Sequence, residues 1–124
     1  MKTRTSPNAG FTLVEIMIVV AIIGLLASIA IPNFVRARIQ SQKEACINNL
    51  HQIDSAVQTW ALENNKALSA AVVFPDISGY LKSAVLCPAG GTTFADSYTI
   101  SNVGTKPLCR KVSSRHVLAA DTSS

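Results

Sequence analysis

The chain has 124 residues, of which 48% are hydrophobic and only 15% charged, with a formal net charge of +4 at pH 7. That length allows one small domain and excludes a large enzyme core. So small a positive charge also excludes strong nucleic-acid binding driven by charge alone.

The first ten residues, Met1 to Gly10, are polar and carry Lys2 and Arg4. From Phe11 to Ile31 follows an apolar run whose one charged residue is Glu15. A secretory signal has an apolar core of about 7–15 residues and a small-residue cut site. The run is longer than that, although Ser28-Ile29-Ala30 would serve as such a site. A single membrane span needs about 20 apolar residues, which the run supplies. A carboxylate at the centre of a bilayer costs roughly 2.5–3.5 kcal/mol, so Glu15 either reaches back to the interface or meets a partner. Basic residues flank both ends, Lys2 and Arg4 on one side and Arg36, Arg38 and Lys43 on the other. Charge bias therefore does not set the orientation.

The string Gly10-Phe11-Thr12-Leu13-Val14-Glu15, followed by an aliphatic helix, resembles the class III signal sequence of the type IV pilin and type II secretion pseudopilin family. The resemblance implies a pilin-like α+β fold, with a long N-terminal helix packed on a small head that carries short antiparallel strands. It implies that residues 1–10 are a leader, cut after Gly10 by a prepilin peptidase that N-methylates the new terminal Phe11. Loss of Lys2 and Arg4 would lower the net charge from +4 to +2. Glycine suits the cut because it obstructs a peptidase least. Residues 11–31 would anchor the chain in lipid and later polymerise, with Ala21, Gly24, Ala27, Ser28 and Ala30 permitting close helix approach. Glu15 would register subunits by pairing with the Phe11 amine of a neighbour, which is largely charged at pH 7.

The partners implied are copies of the chain in a helical filament, the prepilin peptidase, an inner-membrane assembly platform with its ATPase, and membrane lipid before assembly. The implied orientation keeps the leader in the cytoplasm and exports the head, first from the inner membrane and then as a periplasmic or extracellular filament. No catalytic residue and no cofactor is expected. The resemblance is carried by Met1 to about Pro32 and thins beyond Lys66.

Residues 32–65 read as an amphipathic continuation of the helix. Gly24 and Pro32 are its interior breakers and the expected kink positions. Beyond Pro32, Cys46, Leu50, Ile53, Val57 and Trp60 alternate at spacings of four and three and predict one buried stripe. Asn64-Asn65 predicts the helix end. A helix from Phe11 to Asn64 would be about 80 Å long at ~1.5 Å per residue.

Residues 66–124 are too few to support an independent core, so the head is expected to pack on the stripe. Pro75-Asp76 predicts a short helix reaching Tyr80 and Lys82, and Pro88-Ala89-Gly90-Gly91 predicts a turn. Tyr98 to Ile100 and Leu108 to Val112 are strand candidates, Val117-Leu118 a third edge, and Asp121 to Ser124 a frayed tail.

Cys46, Cys87 and Cys109 allow at most one internal bridge, in three pairings. Cys46 falls on the apolar stripe as a buried thiol. The exported location that the resemblance implies, with the small size of the head, favours a Cys87–Cys109 disulfide over no bridge. No metal ligand set is expected. His51 lacks partners at ligand spacing, and His116 stands alone beside Arg115. Some members of the family bind calcium in a C-terminal loop, but Asp96 and Asp121 are lone carboxylates. A hydrolase built from Cys87, His116 and Asp121 lacks a scaffold. Lys106, Arg110, Lys111 and Arg115 form a basic cluster, which is read as a solvated face. The alternative is a minor pilin whose basic head binds DNA or another ligand at a filament tip.

Overall fold

The computed structural model describes residues 10–83 and 85–118. The expected leader before Gly10 and the expected frayed tail from Asp121 lie outside the described residues. The fold is α+β, and the chain divides into two compact units, Met1–Ala37 and Arg38–Ser124. Helix α1 spans Leu13–Glu63, 51 residues, and enters both. The second unit adds two short helices, α2 (Phe74–Ile77) and α3 (Phe94–Ser97), and an antiparallel pair of strands, β1 (Tyr98–Thr99) and β2 (Leu108–Cys109).

In the first unit, α1 exposes its apolar side chains all around, and only Ala27 is half-buried. It is the one helix among the described residues long and apolar enough to cross a membrane. A helix satisfies its own backbone, which is what permits such a surface to face lipid. Gly24 and Pro32 lie within α1, and neither ends it. Pro32 removes the N–H that would otherwise donate to the Ser28 carbonyl.

In the second unit the expected stripe is buried at Cys46, Leu50, Ile53 and Val57. It then continues through Ala61 rather than Trp60. The spacing 53, 57, 61 keeps to one helix face, while Trp60 sits at its edge, half-buried, with the Lys66 ammonium 5.8 Å from its ring. The helix stops at Glu63, one residue before the expected asparagines. Asn65 takes a left-handed φ of 51°, which asparagine tolerates, and the Lys66 amide donates to the Ala61 carbonyl at 2.8 Å.

The head departs from expectation in detail. The helix after Phe74 gives way to a 3-10 turn over Ser78–Tyr80 and ends there, because Leu81 is extended; Lys82 lies beyond it. Asp76 accepts from the Val73 amide at 3.1 Å, the N-terminal role its position suggested. Helix α3 was not anticipated, although Thr93 and Asp96 carry the capping signal. The Thr93 hydroxyl accepts from the Asp96 amide at 3.1 Å. The strands are two residues each, pairing Tyr98 with Cys109 and Thr99 with Leu108. Strand β2 stops at Cys109, short of the expected Val112: after the Arg110 amide donates to the Ser97 carbonyl, the chain turns and brings the His116 amide onto the Val112 carbonyl at 3.0 Å. Val117 forms the third edge as a single bridge to Leu108.

Ile77, Tyr98, Val103 and Leu118 complete the core against α1. Polar ties supplement it. The Asn49 amide donates to both the Leu86 carbonyl and the Tyr98 hydroxyl, each at 3.0 Å, and Gln58 donates to the Val103 carbonyl. Truncation of Ile53 to alanine is expected to destabilise this unit by about 2–5 kcal/mol. Leu62→Ala, at a site 80% exposed, should stay within about 0.5 kcal/mol of the parent. Urea unfolding of the full chain in detergent, followed by Trp60 fluorescence, measures both.

Candidate functional site

At the N-terminal motif, Gly10 and Phe11 precede α1, and Phe11 is 86% exposed. A Cβ built on Gly10 would meet nothing within 4 Å, so folding of this chain does not itself require glycine there. Thr12 and Glu15 form a reciprocal pair. The Glu15 amide donates to the Thr12 hydroxyl at 3.2 Å, and the Thr12 amide donates to Oε2 of Glu15 at 3.2 Å. This is a capping box, and it places the carboxylate at the positive end of the helix dipole. Reading the sequence for an intersubunit partner missed this local role, although Thr-x-x-Glu before an apolar run is its signature. The cap uses Oε2, and a carboxylate retains a second oxygen as a further acceptor.

Leu13 through Ile31 present Met17, Leu25 and Ile31, among others, at more than half exposure. An apolar surface of this extent marks contact with lipid or protein. A Cβ on Gly24 would meet nothing within 4 Å, so the chain itself leaves this small position open.

In the second unit, four side chains with no common spacing in the sequence come together, one from α1 and three from the head. Cys46, Cys87, Cys109 and His116 are all buried, and their donor atoms lie within 4.8 Å of one another. The three cysteines are thiols. The pair expected to bridge, Cys87 and Cys109, has its sulfurs 3.5 Å apart, and Cys46 lies 3.8 Å from Cys87. His116 is not isolated: its Nδ1 lies 3.9 Å from the Cys109 sulfur. The four groups thus form a set that could hold a metal ion, where no ligand set was expected. The donors are separated by 41, 22 and 7 residues, so no local spacing announces them, and only the Tyr98–Cys109 pairing and the turn after β2 bring them together.

Burial pushes the Cys46 thiol up to about 12, against a hydrogen bond with Tyr98, and also raises Cys87. For Cys109 burial is the largest influence and raises it. The Val112 amide, the other two thiols and the Lys111 amide together outweigh that and draw it below its ordinary range. His116 is lowered by burial and by the charges of Lys43 and Arg115. Of the three residues considered for a hydrolase, Asp121 lies outside the described residues, and Cys87 and His116 are both buried.

Three members of the basic cluster are engaged within the second unit. Lys106 pairs with Asp54 at 3.2 Å, Lys111 with Asp96 at 2.7 Å, and Arg110 donates to the Ala95 carbonyl. Asp96, the calcium candidate, is therefore held by Lys111 and Thr92, which keep its carboxyl below the usual range.

Residues 5–31 match the family model for the prokaryotic N-terminal methylation motif. The chain is 36% identical over 99 residues to the type IV major fimbrial protein FimA of Dichelobacter nodosus, covering 80% of this chain and 58% of that one. It is 46% identical over 65 residues to the type IV major pilin protein PilA of Myxococcus xanthus, covering 52% and 30% respectively. Against the type II secretion system core protein G of Escherichia coli the identity is 27% over 110 residues, covering 81% and 76%. The chain thus spans less than two thirds of the two pilins. No solved structure matches it.

Two outcomes test these local arrangements. Thr12→Ala should lose about 1 kcal/mol of capping and speed amide exchange in the first turn of α1, read by hydrogen exchange in micelles. Gly91→Ala should destabilise the head by roughly 1–3 kcal/mol or more in the same unfolding assay, because its Cβ would meet Ser97 Oγ and lie 2.8 Å from the Cys87 amide nitrogen.

Proposed function

Because the chain belongs to the type IV pilin and pseudopilin family, we propose that it is a structural subunit of a pilus or pseudopilus, polymerised through residues 11–31. The observation that carries this reading is the apolar first part of α1, exposed on all sides and headed by Phe11 and Glu15. Such a surface needs an apolar surrounding, and it has two in succession: lipid before assembly and neighbouring copies afterwards. Moving between them exposes little apolar area to water, so one helix serves as both anchor and filament core.

In this reading a prepilin peptidase removes residues 1–10 and methylates the nitrogen of Phe11. Methylation keeps an amine that is charged at neutral pH. Glu15 of one subunit accepts that amine from its neighbour. Two unit charges about 4 Å apart attract by roughly 4 kcal/mol at an effective dielectric of 20, a gross figure that desolvation reduces. The carboxylate thereby has two tasks, capping its own helix and setting register with another. The chain begins in the inner membrane with its head exported, and a membrane platform with its ATPase drives it into the filament. The function is mechanical, and its filament surface is the head. The DNA-binding alternative is disfavoured because Lys106, Arg110 and Lys111 already have partners, Lys106 on α1 and the other two in the head.

Mass spectrometry of the chain from cells with and without the peptidase is expected to find N-methylated Phe11 as the first residue only when the peptidase is present. A chain that keeps Met1, or begins after Ala30, would overturn the proposal. Glu15→Ala should be inserted and cleaved yet absent from sheared filaments. Thr12→Ala, which removes the cap but keeps the carboxylate, should still be incorporated. Equal loss in both variants would reduce Glu15 to a helix cap.

A further inference from the structure

The cluster of Cys46, Cys87, Cys109 and His116 is not needed by the polymerisation reading, and its geometry is that of a ligand set. The successive separations are 3.8 Å from Cys46 Sγ to Cys87 Sγ, 3.5 Å from there to Cys109 Sγ, and 3.9 Å from there to His116 Nδ1. In a tetrahedral zinc site with bonds of about 2.3 Å to sulfur, neighbouring donors stand about 3.8 Å apart. A Cys87–Cys109 bridge would use two of the four groups and leave no reason for Cys46 and His116 to converge on them.

Backbone amides reach two of the sulfurs. The Ala89 amide faces the Cys87 sulfur, and the Val112 and Lys111 amides face that of Cys109. Each of the two cysteines thus opens a turn whose following amides face its sulfur, an arrangement suited to orienting metal ligands. Gly91 closes the first turn by donating to the Cys87 carbonyl at 2.9 Å, at a position where a Cβ has no room. Lys43 and Arg115 place positive charge near His116.

We propose that Cys46, Cys87, Cys109 and His116 hold a structural zinc ion. Binding replaces three S–H bonds by Zn–S bonds, sends three protons to solvent, and leaves one net negative charge that Lys43 and Arg115 offset. Nothing is oxidised or reduced. Four protein ligands close the tetrahedron, and all four are 3% exposed or less, so no position remains for a substrate and the site is structural. The ligands come from α1, the turn after Cys87, β2 and the loop beyond it. One ion therefore closes loops of 41 and 22 residues and secures a head too short to secure itself. The proposal is independent of filament assembly.

The test uses the processed full-length chain, purified in detergent without chelator. Elemental analysis should give one zinc per chain. Exchange with cobalt(II) should give the visible bands of a tetrahedral ion and thiolate-to-cobalt charge transfer in the near ultraviolet. Cys46→Ser is the informative variant, because it spares both cysteines of a Cys87–Cys109 bridge. It should lower zinc affinity at least about tenfold, as should His116→Ala. A parent chain lighter by two hydrogens, with a linked peptide pair carrying Cys87 and Cys109, would overturn the proposal. So would a cobalt spectrum lacking the tetrahedral thiolate signature, or iron or copper in place of zinc. The cobalt experiment needs no variant, so it decides the matter even if the substituted chains do not fold.

Discussion

A helix can leave an apolar surface unburied by its own chain only if something else covers it, and this constraint organises the protein. Leu13 to Ile31 satisfy their backbone internally but bury almost none of their side chains. Whatever stability the chain has as a single molecule must come from the second unit. There the later turns of α1 are the wall on which a head of short elements is built. The division of labour is visible in residue type: Ile, Leu and Val around the whole circumference in one unit, a single stripe from Cys46 to Ala61 in the other.

The head shows how a small segment compensates for a thin core. Its strands contribute few ladder bonds, so side chains from α1 take over part of that work. Asn49 joins α1 to two head segments with one amide, and Lys106 meets Asp54 across 52 residues of sequence. Aromatic contacts add a layer, with Phe74 stacked on Phe94 at 4.3 Å and Phe94 against Tyr98. The metal proposal fits the same need, because each of its ligands belongs to a different segment.

Periodic features were legible in the sequence and convergent ones were not. The stripe through Cys46, Leu50, Ile53 and Val57 could be read because helical spacing alone fixes which residues share a face, and the asparagine end because its side chains act locally. The Thr12–Glu15 and Thr93–Asp96 caps are equally local, and in each the acidic residue follows its threonine by three positions. The thiol and imidazole cluster differs in kind. It exists only after Tyr98 pairs with Cys109 and the chain folds back at Val112, contacts that no pattern in a single segment specifies.

The open space beside Gly24 has a consequence for how variation in this chain is interpreted. A methyl group added there touches nothing in the molecule itself. Scanning of the lone polypeptide would therefore register no lost contact at that position, nor at most of the residues around it, and would see helix propensity alone. Under the assembly proposed here, selection would see them only in the collective, so tolerance mapped one molecule at a time and tolerance mapped in living cells should part company near Ala37, where one compact unit gives way to the next.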